Sequence, residues 1–337
     1  VNNPVNKNVL VVGGAGYIGS HTTLALHAAG YRAIVYDNFS AGHRDACFGA
    51  VLVEGNLDDT GKLVQTMQAH DIGSVIHFAA LIEAGQSVIT PLPFFHNNVA
   101  GTLALLDAMN MAGVTRLVFS STAAVYGNCT DTPLLHEDLP RAPINPYGDS
   151  KAMVETILEA CATAHGLQAI ALRYFNACGA DAQGRCGERH DPETHLIPLI
   201  LQAALGTRPQ IKIYGTDYDT PDGTCIRDYI HVSDLASGHV AAVGHLLGHG
   251  TAGVTPINLG TGAGQSVRQV VEAVKHISDR DFAVVEDTRR AGDPATLVAD
   301  VQRARTLLGW QAAHSDLETI VRDAWNFAQT RAETGVI

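Results

Sequence analysis

Residues 9–21 read VLVVGGAGYIGSH, a short valine-rich run that breaks into glycines and then continues into helix-compatible sequence. This segment constrains the fold more than any other. Extended residues alternate between the two faces of a sheet, so an unbroken apolar run is a strand buried on both faces, as inside a parallel sheet. The glycines permit a tight turn, and a helix from Tyr17 to about Ala29 follows. Gly14, Gly16 and Gly19 satisfy GxGxxG, while Gly13, Gly16 and Gly19 satisfy the related GxxGxxG. Either spacing alone signals little, because a glycine turn can serve only close packing of strand and helix. Here Asp37 ends the next strand, eighteen residues after Gly19, and the three elements in register point to dinucleotide binding. The missing side chains let a pyrophosphate reach backbone N–H groups at the positive end of the helix, and the Asp37 carboxylate accepts from ribose hydroxyls. The same carboxylate repels a 2′-phosphate, which favours NAD as the cofactor.

The alternation persists along the chain. Strands are expected at 32–36, 50–53, 74–78, 116–119 and 168–173, with helices near 60–70, 92–112 and 146–165; Pro146 suits the first turn of the last of these. This order predicts an α/β fold, a doubly wound parallel sheet of the Rossmann type, complete by about residue 176. Beyond it the texture changes. Gly, Pro, Asp and Thr crowd residues 177–225 around one apolar helix near 196–205, and further helices are expected at about 234–247, 266–277 and 317–328. The division expected is an NAD-binding domain over 1–176 and a smaller α/β substrate lobe over 177–337, with a segment of about 230–250 packing back on the first domain. No Gly/Ser linker separates the two, so a shared interface with a cleft is expected.

Charge narrows the partners. The 337 residues include 22 Lys and Arg against 34 Asp and Glu, a net of −12, which disfavours nucleic acid and anionic membrane surfaces. A few local cations can still hold a small anion. The six cysteines, at 47, 129, 161, 178, 186 and 225, form no CxxC pair and show no zinc-like spacing with the sixteen histidines, so reduced thiols and no metal site are expected. The apolar run 9–12 is too short for a signal segment or membrane span, and a cytoplasmic location is the expectation.

Two further segments carry chemistry. In NPYGDSK, Tyr147 and Lys151 are four residues apart, which on a helix places both on one face, where the ammonium would lower the phenol's pKa by stabilising phenolate. Alone, the pair reads as a surface tyrosine and an unrelated lysine. FSSTAAVYG alters that balance, because Ser121 and Thr122 would then stand at the carboxyl edge of the sheet, where ligands bind in folds of this type. A hydroxyl there can relay a proton or orient a substrate hydroxyl.

These segments, with VIHFAA, NNVAGTL, RYFNACGA, RDYIHVSDLA and RRAGDP, occur in the order found in extended short-chain dehydrogenases/reductases, and the chain resembles the UDP-glucose 4-epimerase family over about residues 8–328. The glycine turn and the Tyr-Lys pair are widely shared; the last two segments are the part that looks like a nucleotide-sugar site. The resemblance implies reversible inversion at C4 of a UDP-hexose, through a 4-keto sugar and with tightly held NAD. It implies that Tyr147 is the base, that Thr122 assists it, and that Lys151 binds the nicotinamide ribose and tunes Tyr147. Cofactor contacts would come from Gly13, Gly16, Tyr17, Ile18 and Gly19. Asp37, Asn38 and Ser40 would hold the adenosine side, Asn56 and Leu57 the adenine, and Phe78, Ala79, Ala80, Asn97 and Tyr174 the nicotinamide side. Asn176, Leu196, Ile213, Tyr214, Arg227, Arg290 and Asp293 would surround the UDP portion, with the arginines as planar donors to pyrophosphate. An interlobe ion pair is the alternative for each arginine. A homodimer through the helices near 92–112 and 146–165 is implied as well.

Several positions depart from the family's habit. Thr122 replaces a frequent serine and keeps the hydroxyl; Asn56 replaces a frequent aspartate. Ile82 replaces a lysine and removes a cation near the cofactor. Leu297 replaces a bulky tyrosine beside the sugar, which would admit N-acetylhexosamines as well as hexoses. Two other functions stay in view. A nucleotide-sugar 4,6-dehydratase or decarboxylase would want a carboxylate just after Thr122, where Ala123 and Ala124 stand. A non-catalytic dinucleotide sensor would need none of Tyr147, Lys151 and Thr122.

Overall fold

The computed structural model describes residues 6–129, 132–251, 253–290 and 293–334. Its centre is a sheet of seven strands, β1 (Asn8–Val12), β2 (Arg32–Asp37), β3 (Val51–Glu54), β4 (Ser74–His77), β5 (Arg116–Thr122), β6 (Gln168–Tyr174) and β7 (Val254–Leu259). All pair in parallel, in the order β7-β6-β5-β4-β1-β2-β3. The eight longer helices are α1 (Tyr17–Ala28), α2 (Thr60–Ala69), α3 (Gly101–Ala112), α4 (Pro146–His165), α5 (Leu196–Ala204), α6 (Val232–Gly248), α7 (Val267–Ser278) and α8 (Leu317–Glu333).

The period-two alternation of a strand sorts β1 between two cores. Val9 and Val11 pack with Leu26 of α1 and Ala242, Val243 and Leu246 of α6. Leu10 and Val12 pack on the opposite face with Leu63 and Met67 of α2, Leu105 of α3 and Val154 and Leu158 of α4. These four apolar side chains of β1 are at most 1% exposed, and burying each contributes roughly 1.5–3 kcal/mol. The chain winds one way through β1, β2 and β3 and the other way through β4, β5 and β6. The reversal between β1 and β4 opens a crevice at the carboxyl ends of the strands.

The predicted strands and helices of the first half appear within a few residues of their expected limits. The helix expected near 92–112 is instead an α-helical turn at Pro91–Phe94, a π-helical segment at Phe95–Ala100 and then α3. Such wide turns cluster at functional sites. This one turns Asn97 to the crevice while Asn98 faces inward to bond both the N–H and the carbonyl of Leu81.

After the first six strands the chain leaves the sheet and returns. The return runs past the segment expected at 230–250, because β7 adds a seventh strand beside β6. Its sequence, VTPINL, carries a proline that argues against an inner strand; at the sheet edge the missing N–H costs no ladder bond. The rest forms a smaller lobe in which α5, α7 and α8 pack Ile197, Ile200, Val270, Val274, Ile320 and Trp325 together, against a parallel strand pair, Gln210–Tyr214 with Ala283–Asp287. The Ser266 side chain and Gln269 cap α7 reciprocally. Among the described residues no helix is long and apolar enough to cross a membrane, and all six cysteines are free.

Candidate active site

The crevice and the smaller lobe enclose a cleft of about 1700 Å³. Sites for one drug-sized ligand usually occupy roughly 300–1,000 Å³, so this volume suits a dinucleotide and a second nucleotide together.

The floor comes from the glycine turn. Gly13 adopts φ +79°, and a Cβ there would lie 2.5 Å from the Ala79 nitrogen. A Cβ on Gly19 would meet the Gly13 carbonyl oxygen at 2.3 Å, so this glycine serves strand-helix packing. Gly16 differs: its nearest neighbour would be 3.5 Å away, and it faces the cleft at the start of α1, whose first turn has no side-chain cap. That open helix end fits an anionic pyrophosphate. Asp37 holds the turn from behind, accepting from the Ala15 N–H at 2.9 Å and the Phe39 N–H at 2.8 Å. Asn38 donates to the Asn56 side chain at 2.9 Å and accepts from the Ser40 N–H at 3.0 Å. Leu57, Phe78, Ala79, Ala80, Ile82, Asn97 and Tyr174 continue the same wall.

Thr122, Tyr147 and Lys151 meet at the carboxyl edge of β5. Asn145 caps α4 by accepting from the Gly148 N–H at 2.9 Å, and Pro146 sets the first turn. The helix is clamped to the sheet one turn beyond Lys151. There the Glu155 carboxylate takes Arg173 at 3.0 and 2.6 Å and the Ser121 hydroxyl at 2.6 Å; breaking a buried pair of this kind costs about 3–5 kcal/mol. Burial pushes the Tyr147 phenol up to about 12, against a hydrogen bond with Thr122 and with help from Glu83. Burial takes Lys151 down to about 7, with Glu155 opposing it. The expected lowering of the Tyr147 phenol by Lys151 is therefore absent in the protein alone: desolvation governs both groups, and the ammonium is engaged by the Ser120 carbonyl at 2.8 Å.

The opposite wall holds Asn176, Leu196, Tyr214, Arg227, Arg290 and Asp293. Arg227 donates to the Ile226 and Pro294 carbonyls at 2.8 and 2.9 Å and stands 3.7 Å from an Asp293 oxygen. The Arg290 guanidinium lies 4.1 Å over the Tyr214 ring. Two expected residues are elsewhere. The Ile213 side chain points into the small-lobe core, because alternation along its strand gives the cleft to Tyr214. Leu297, half-buried, is not among the residues that line the cleft; it packs against the cluster of Ala123, Val125, Tyr126 and Leu135. Several cleft residues were missed, among them Glu83, Phe175, Arg189, His190 and His195. Phe175 follows Tyr174 directly, and His195 precedes Leu196, so adjacency was the available signal.

Fold and cleft together define a dinucleotide-binding α/β protein. A family model described as NAD dependent epimerase/dehydratase family matches residues 9–260, and the chain belongs to that family. It is similar to the UDP-glucose 4-epimerase of Rhizobium meliloti (strain 1021), 49% identical over 330 residues that cover 98% of this chain and 99% of that protein. Among solved structures it resembles UDP-glucose 4-epimerase from Brucella ovis in complex with NAD, at 48% identity and a TM-score of 0.93, covering 96% of this chain and 98% of that one. It also resembles UDP-glucose-4-epimerase from Stenotrophomonas maltophila with bound NAD and formylated UDP-arabinopyranose, at 39% identity and a TM-score of 0.93, covering 97% and 99%.

Proposed function

We propose that the protein inverts C4 of UDP-hexoses, interconverting UDP-glucose and UDP-galactose, with NAD held throughout the cycle. The observation that carries this reading is the convergence of Tyr147, Thr122 and Lys151 in a cleft with room for two nucleotides, one on the uncapped start of α1 and one beside the Arg227 and Arg290 wall.

NAD, when bound, supplies the acceptor for the C4 hydride and returns it to the other face. Gly13, Gly16, Tyr17, Ile18 and Gly19 would hold its pyrophosphate, Asp37, Asn38, Ser40, Asn56 and Leu57 its adenosine, and Phe78, Ala79, Ala80, Asn97 and Tyr174 its nicotinamide side. The Tyr147 oxygen takes the proton of the sugar 4-hydroxyl, and Thr122 orients that hydroxyl. Lys151 supplies positive charge beside Tyr147 and a donor for the cofactor ribose. Asn176, Leu196 and Tyr214 flank the uridine, Asp293 accepts from its ribose, and Arg227 and Arg290 clamp the diphosphate. Ala123 and Ala124 offer no acid for a dehydratase step. Free cysteines accord with a reducing compartment such as the cytoplasm.

The side chain at 297 is the proposed basis of substrate breadth. Leu297 packs against the cluster that contains Ala123, the residue after Thr122, and its modest size would leave room beside the sugar for a 2-acetamido group, which makes UDP-N-acetylglucosamine the proposed second substrate. A homodimer is the proposed assembly. The outer faces of α3 and α4, adjacent on one side of the sheet, expose Leu103 (45%), Met111 (66%) and Met153 (47%).

Conversion of UDP-galactose to UDP-glucose by purified protein without added cofactor tests the reading. A requirement for stoichiometric fresh NAD would sink it.

A further inference from the structure

The loop between the strand Asn176–Cys178 and α5 carries Glu188, His190, Glu193 and His195, a spacing of Glu-x-His-x-x-Glu-x-His. One ligand atom from each of the four, an imidazole nitrogen or a carboxylate oxygen, lies within 4.8 Å of the others. His190 Nδ1 is 3.2 Å from Glu188 Oε1 and 3.8 Å from Glu193 Oε1, and His195 Nδ1 contacts Glu188 Oε1. We propose that these four side chains form a structural site for a divalent transition-metal ion of the zinc type.

The argument is first geometric. Four ligands at about 2.0–2.2 Å in a tetrahedron stand roughly 3.3–3.6 Å apart; the ligand atoms here, gathered within 4.8 Å, reach that figure once the direct His195–Glu188 contact opens and the wider pairs close. The donor set then selects the ion. Two imidazole nitrogens with two carboxylate oxygens suit zinc and its first-row neighbours, whereas magnesium and calcium take oxygen sets. Burial supplies the need for a cation: both carboxylate side chains are 6% exposed and both aim at the same point. Two converging buried carboxylates need positive charge between them; in the protein alone the paired imidazoles of His190 and His195 supply it, and a bound ion would take that place while their Nδ1 protons leave.

The surroundings also orient the ligands, as outer contacts do at metal sites. Glu193 Oε1 accepts from the Thr194 and His195 N–H groups at 2.7 and 2.8 Å. The His190 ring stands edge-on to His195, at 89° and 5.1 Å, and edge-on to Tyr17, at 89° and 6.3 Å. Perpendicular rings let the Nδ1 atoms converge while the ring bodies diverge. Tyr17 is itself fixed by donation to the Gly179 carbonyl at 2.6 Å. Spacing tests built on cysteine and histidine pass over this pattern, because two of its ligands are glutamates. A bound ion would tie the loop to α1 through Tyr17 and to the start of α5, where Leu196 enters the cleft. It would brace that wall without touching the reacting atoms.

The test uses the full chain after chelator treatment. Calorimetric titration with Zn²⁺ is expected to show one ion per chain and a raised unfolding temperature. His190→Gln with Glu193→Gln should weaken binding beyond the about 10- to 100-fold that losing an outer contact costs. Cobalt(II) loading of the wild type should give d–d bands of a tetrahedral nitrogen and oxygen site without thiolate charge transfer, a readout that does not depend on the variant folding. Absence of stoichiometric binding, unchanged affinity in the folded double variant, or a thiolate band from the cysteines would each overturn the proposal.

Discussion

Lys151 lies one helical turn after Tyr147, yet its ammonium donates to the Ser120 carbonyl at 2.8 Å, while Tyr147 stands with Thr122 on the cleft wall. The pair shares a face of α4, as its spacing requires, but the carboxyl end of β5 claims the charge. In the protein alone the phenol stays protonated at neutral pH, with a pKa raised to about 12 by burial. Ligands filling the cleft must therefore provide the remaining stabilisation of phenolate.

Tyr147→Phe is expected to lower kcat by about 10²- to 10⁴-fold, the usual loss for a general base. UDP affinity measured by calorimetry should stay within a fewfold of wild type, since the phenol is on the far side of the cleft from Arg227. A variant with wild-type kcat would show that another group takes the proton.

Lys151→Met should release cofactor as well as slow turnover, because one side chain serves both. NAD assayed in the supernatant of denatured protein would fall below the wild-type content. Ile82 faces the same cleft, and Ile82→Lys should raise that content. A normal cofactor complement in Lys151→Met would separate the two roles and remove the lysine from the cofactor site.

Leu297→Tyr should suppress UDP-N-acetylglucosamine turnover far more than UDP-galactose turnover. A tyrosine against Ala123 and Tyr126 overpacks that cluster by about 1–3 kcal/mol, and the wall at Thr122 moves toward the sugar. Ratios of kcat/KM for the two substrates measure the effect. An equal loss for both would mean that the acetamido group lies against a different wall.

Acid should destabilise the fold well above the carboxylate range. Burial lowers His21 to about 4, His77 to about 3 and His239 to about 4. Below their ordinary value near 6.5 the unfolded chain binds protons that the folded chain refuses, so stability falls as pH drops from about 6.5 toward 4. Each histidine contributes a slope of up to about 1.4 kcal/mol per pH unit. Urea unfolding across this window should show His239→Leu with a slope shallower by about one proton. An unchanged slope would mean that His239 is protonated in the folded state.

Sedimentation at micromolar concentration should give a dimer, and Met111→Lys with Met153→Lys should shift it to monomer. A wild-type monomer would leave the apolar faces of α3 and α4 with some other partner.

The glycine turn, Asp37 and the Tyr-Lys spacing were legible because each depends on local geometry: a turn that excludes side chains, a strand end, one face of a helix. Short apolar runs alternating with helical segments likewise disclosed six of the seven sheet strands, since inner strands buried on both faces are apolar over most of their length. Pro256 concealed the seventh, and only its place at the sheet edge makes the proline acceptable. Tertiary structure also decided which strand face met the cleft, sending Ile213 inward and Tyr214 outward and setting Leu297 against the Ala123 cluster. It decided the protonation tendencies of Tyr147 and Lys151 by burying both, an effect that residue spacing does not contain. And it gathered Glu188, His190, Glu193 and His195 at one point, because a loop's fold, unlike a helix or strand, imposes no period on the sequence that encodes it.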